Sequence, residues 1–135
     1  MKTKSTTGIS RTFYQVTQTG TGLDVLIDEI NNTAMPAAEK YAYQAFCCAM
    51  LAKSASGLLQ KGKYIQQYGT FIGKAITIDA ACYEARLLRF LVENKLENVK
   101  FTSHMEMDRD YLLANVNSGQ DQYLKEVTLK ALENE

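Results

Sequence analysis

Apolar side chains in this chain return every three to four residues, segment after segment, and no two segments alternate convincingly as paired strands would. That spacing is the helix period, so the chain must fold as amphipathic helices that bury one stripe against each other. Leu23, Leu26, Ile27 and Ile30 stand at i, i+3, i+4 and i+7 of a first helix, which Asn31-Asn32-Thr33 ends. Pro36, the only proline, suits the first turn of a second helix, where its missing N–H costs nothing. That helix is expected to run to about Lys53. Tyr41, Ala45, Cys48 and Ala52 line one side of it, and Phe46, Cys47, Met50 and Leu51 cover another flank. A helix apolar on two sides is sandwiched, which predicts a central position.

A third helix is expected from near Leu58 or Lys61 to Ile78, with Tyr64, Tyr68, Phe71, Ile72 and Ala75 on its apolar face. Gly62, Gly69 and Gly73 lie inside it, each costing up to ~1 kcal/mol relative to alanine. Close approach of another helix backbone at Gly69 or Gly73 is the expected compensation. The fourth helix carries Tyr83, Leu87, Phe90, Leu91 and Asn94 on one face. Leu96 to Thr102 is read as a loop. Ser103 with Glu106 forms a capping-box pattern that opens a fifth helix, whose face holds Met105, Asp108, Leu112 and Val116. Tyr123, Leu124, Val127 and Ala131 define a sixth helix after the Asn117-Ser118-Gly119 break.

The polar stretch 1–11 is read as a loose tail. Thr12 to Gln18 is β-branched and aromatic, so helix, strand and packed arm all remain open for it. The expected organisation is one all-α domain over 12–135. It has about six helices in antiparallel pairs, as a tetratricopeptide-like array or bundle.

Composition removes several classes of function. With 15 basic and 15 acidic residues the chain has no cationic excess to displace counterions from nucleic acid. Its longest apolar run, Ala45 to Ala52, spans eight residues, against the roughly 20 needed to cross a bilayer. No apolar core follows the basic start at Lys2 and Lys4, so a cytoplasmic location is expected, or a periplasmic one if a signal peptide has been removed. Cys47, Cys48 and Cys82 are odd in number and do not form a disulfide framework. They are read as small apolar core residues, with a redox- or metal-sensing vicinal dithiol as the sharper alternative.

No catalytic, cofactor or metal set stands out. His104, Glu106 and Asp108 are spaced by two, so they cannot converge on one ion from a helix. No glycine-rich phosphate loop or paired CxxC is present, and an enzyme is not expected. Asp108 on an apolar face requires a partner, and Arg86 or Arg89 on the preceding helix is the candidate. The three form either a structural ion pair or an anion-binding site. Arg89 and Glu93 are also placed to pair along their own helix. Among the tyrosines, Tyr64 and Tyr68 are candidates for lining a peptide-binding groove.

Lys74-Ala75-Ile76-Thr77-Ile78-Asp79-Ala80-Ala81 resembles the close of a tetratricopeptide repeat, with Ala80 where that repeat usually has proline. Over about 41–113 the chain resembles a group of uncharacterised tetratricopeptide-like helical bacterial proteins, of Bacteroidetes type. The matching pieces are Tyr41 with Ala45 and Ala49 to Lys53, Gly62-Lys63, Lys74-Ala75-Ile76, Glu84 to Phe90, Glu93-Asn94, and Asp108 with Tyr111-Leu112. Where that group has a proline-containing segment and a turn, this chain has Lys95 to Phe101. The resemblance implies a helical fold and no activity. By analogy of fold the expected function is protein or peptide binding, with a structural, homo-oligomeric protein as the alternative and a small-ligand binder or enzyme behind both.

Overall fold

The computed structural model describes residues 7–95, 102–118 and 121–133, and all regular structure in them is helical. Seven helices follow in order: α1 Thr7–Thr19, α2 Leu23–Asn32, α3 Ala37–Ser54, α4 Leu58–Ile78, α5 Tyr83–Lys95, α6 Thr102–Asn115 and α7 Gln122–Glu133. The additional helix is α1. It resolves the open segment 12–18 as helix and moves the expected tail boundary upstream, because Ile9 and Ser10 are already buried. Phe13 explains the choice. Its ring is fully buried edge-on against Tyr43 and Phe46, with centroids at 5.6 and 4.8 Å, and this tertiary burial outweighs the weak helix propensity of its β-branched neighbours.

Short connections turn the chain between helices. Gly20 and Gly22 adopt φ values of 75° and 97°, a left-handed backbone that glycine supplies at no steric cost. Pro36 stands just before the helix it was expected to open, and its carbonyl accepts from Lys40 N at 3.1 Å. Asp121 closes the other end of the array. Its Oδ1 accepts from the backbone N–H of Tyr123 and Leu124 at 3.0 and 2.9 Å, capping α7. Its Oδ2 accepts from Ser10 Oγ at 2.6 Å, so the cap also ties α7 to α1.

α3 is the central helix. It packs against α2, α4 and α5, and buries Ala38, Ala42, Ala45, Ala49 and Ala52. These small side chains let neighbouring helices approach while larger groups such as Phe46, Leu87 and Leu88 fill the space between. α3 and α4 form one hairpin, α5 and α6 a second, and contact between α3 and α5 joins them. α4 and α6 therefore flank the assembly. α1 packs on both α2 and α7, and α7 reaches back to α5 through the buried contact of Thr128 with Tyr83, 2.6 Å between hydroxyls.

Two sequence expectations fall partly outside the described residues: the loop over 96–102, of which only Thr102 is described, and the capping role of the Ser103 side chain. No described helix is long and apolar enough to cross a membrane. One expectation is reversed. A Cβ built at Gly62, Gly69 or Gly73 meets no atom within 4 Å, so no helix backbone approaches there. The apolar stripe of α4, with Tyr68, Ile72 and Ala75, faces α3 and α5, and helical geometry turns these glycines to solvent.

Candidate functional site

The residue types that could carry chemistry converge at the seam between α5 and α6. Asp108 is fully buried on the inner face of α6. Arg89, from α5, meets it with both arms: Nε donates to Oδ2 and Nη2 to Oδ1, each at 2.8 Å. This parallel two-bond geometry is the strongest form of a guanidinium–carboxylate contact. Arg86, one turn earlier, adds a longer bond from Nη1 to Oδ1 at 3.4 Å. Its Nε is already engaged with the carbonyl of Ala80 at 2.8 Å, and its guanidinium lies 4.8 Å from the Tyr111 ring centroid. Tyr111 in turn donates to the carbonyl of Ala81. Arg86 therefore pins the α4–α5 turn to α6, while Arg89 supplies the charge that Asp108 needs.

Glu93 follows Arg89 by one turn but does not pair with it as its spacing predicted. Its Oε1 lies 3.0 Å from His104 Nδ1 and its Oε2 accepts from Tyr68 Oη at 3.3 Å. Burial pushes the Glu93 carboxyl above its ordinary range, against the lowering effect of His104, Arg89 and Tyr68. With Glu93 ionised, Nδ1 of His104 must carry the hydrogen and donate. His104 and Asp108, one turn apart on α6, thus go to different partners.

This placement corrects the reading of Tyr68 as a groove residue. It is 1% exposed and its hydroxyl is spent on Glu93, so it belongs to the core; Tyr64 is half-buried. Between Arg86, Arg89 and Asp108, the geometry is that of a structural ion pair. Both carboxylate oxygens are taken, and an external anion would have to displace a buried charge.

A second group of acids lies where α3 meets α5. Burial, then the nearby charge of Glu84, pushes the Glu39 carboxyl up to about 7. Glu84 is itself raised by burial and accepts from the Cys82 thiol at 3.7 Å. Burial pushes the thiols of Cys47 and Cys82 up to about 12, and also raises Cys48. All three cysteines are free and buried, so they remain protonated and unreactive at neutral pH. Among the described residues, no cluster of three or more His, Cys, Asp or Glu is arranged to hold a metal ion. No protein-family model, curated protein or solved structure matches this chain.

The surface offers a different kind of site, on the outer face of α4. Leu59, Gly62, Lys63, Gln66, Gly69, Gly73 and Thr77 share that face and are all exposed. The missing side chains leave a shallow groove of about 480 Å³, walled by Tyr41 of α3 with Lys74 and Ile78. Leu58 and Leu59, adjacent at the start of α4, are 88% and 89% exposed. From Lys40 to Ile78 the sequence holds five lysines and no acid. That acid-free run is the signal by which sequence could have located this surface. The neutrality of the chain as a whole masks it. A smaller groove of about 410 Å³ lies between α1 and α7, against Tyr14, Tyr123 and Leu129.

Proposed function

We propose that the chain is a tetratricopeptide-like interaction module that docks a protein partner on the outer face of α4. The observation carrying this reading is the union of exposed leucines, glycine gaps and unopposed lysines on one face of one helix. Each element serves docking. The leucines provide apolar area, the glycines let a second backbone come close, and the lysines select an acidic partner. The α5–α6 seam supports it indirectly: its charges are consumed in holding two helices together, which leaves none of them for an external ligand there. The unpaired, buried thiols suit a reducing compartment and so a cytoplasmic location.

Site-specific photocrosslinking in cells tests the reading. A photoreactive residue at Thr70, exposed beside the groove, is expected to trap a discrete protein adduct, identified by mass spectrometry and lost in Lys63→Glu/Lys74→Glu. The same residue at Asn31, exposed on α2, serves as the control. Equal or absent adducts from the two positions would reject α4 as the docking face.

A further inference from the structure

We infer that the partner seated on α4 is a second copy of this chain, which presents the outer face of α6 in a head-to-tail contact. The inference rests on the docking role of α4 and names its occupant. Glu106, Met107, Asp110, Leu113 and Ala114 share the outer face of α6, and all are exposed. Met107 and Leu113 are 50% and 57% exposed. Arg109 lies on the flank of this face, half-buried. The face thus offers what α4 lacks: acids beside large apolar side chains.

Spacing agrees with charge. Lys63 and Lys74 are separated by about 16 Å along α4, and Glu106 and Asp110 by about 6 Å along α6. Centred on the glycines, the acid pair sits between the lysines with about 5 Å to bridge at each end, within reach of a flexible lysine stem. Met107 and Leu113 then face the trough that the glycines leave. Pairing of like faces is disfavoured, since α4 on α4 sets lysine against lysine and α6 on α6 sets acid against acid. The contact is therefore heterologous. It repeats from copy to copy unless geometry closes a ring. A formal net charge of zero leaves no long-range repulsion against it.

Sedimentation velocity across protein concentration and salt tests this with the full chain. The wild type is expected to associate reversibly, less so at high salt. Lys63→Glu/Lys74→Glu and Glu106→Lys/Asp110→Lys should each weaken association by at least about tenfold while circular dichroism stays helical. An equimolar mixture of the two variants, and a chain carrying all four changes, should recover it. A monomeric wild type, association indifferent to both reversals, or failure of the mixture to recover would overturn the second-copy inference. The docking reading is judged apart from these results: a Thr70 adduct to a different protein would preserve it with another partner, and no Thr70-specific adduct would end both.

Discussion

At the α5–α6 seam, Asp108 is fully buried and receives both arms of Arg89, whereas on α4 Lys63 stands in solvent and Lys74 lies exposed over the Tyr41 ring at 5.4 Å, on a helix without a single acid. The seam keeps its charges because removing one strands the other in a low-dielectric interior. The α4 face carries its charges at little cost to folding, and its glycines weaken the helix without any compensating contact inside the molecule. Charges of the first kind are parts of the fold. Those of the second kind contribute little to stability, which leaves them free to serve recognition.

The sharpest way to break this contrast is Asp108→Ala, expected to cost ~3–5 kcal/mol by leaving Arg89 buried without its carboxylate. Urea denaturation should show it as a lower midpoint. In a double-mutant cycle Arg89→Ala should couple to Asp108→Ala by more than about 1 kcal/mol, and the longer, more exposed Arg86 contact by less. Strict additivity for Arg89 would contradict the structural role. A milder probe of the same seam is Tyr68→Phe, which removes the hydroxyl bonded to buried Glu93 and should cost ~1 kcal/mol. An unchanged midpoint would show that Glu93 is held by His104 alone.

On α4 the sign reverses. In the dissociated chain, at low concentration and high salt, Gly69→Ala and Gly73→Ala should each raise stability by ~0.5–1 kcal/mol, because the added methyl meets open space and alanine favours helix. A fall in melting temperature for both in the dissociated chain would mean that another part of the same molecule covers that side. The smallest effect concerns Glu39, between these extremes in burial. Its folded pKa of about 7 lies above the ordinary 4.5, so the folded state holds a proton that the unfolded chain has released. Its contribution to stability is therefore fully present below about pH 4.5 and is lost as pH rises through about 7. Glu39→Gln should leave stability unchanged at pH 4 and raise it at pH 8, by ~0.5–1 kcal/mol once solvent screening at this half-buried site is allowed for. The same change in stability at pH 4 and pH 8 would show that its carboxyl titrates normally.

Helical periodicity determined most of this fold in advance. The spacing of Leu23 to Ile30, the two apolar flanks of the central helix and the limits of α4 were legible because a helix repeats its geometry every 3.6 residues whatever surrounds it. The need of Asp108 for an arginine was legible too, since a carboxylate on an apolar stripe must find a cation. Three features were decided only by tertiary structure. α1 is helical because Phe13 finds a slot between Tyr43 and Phe46, against its local propensity. Glu93 bonds His104 and Tyr68 rather than Arg89, because Arg89 is already committed across the seam. Gly69 and Gly73 face water although their pattern suggested contact, because which side of a helix is covered depends on where the other helices pack, and no local spacing encodes that.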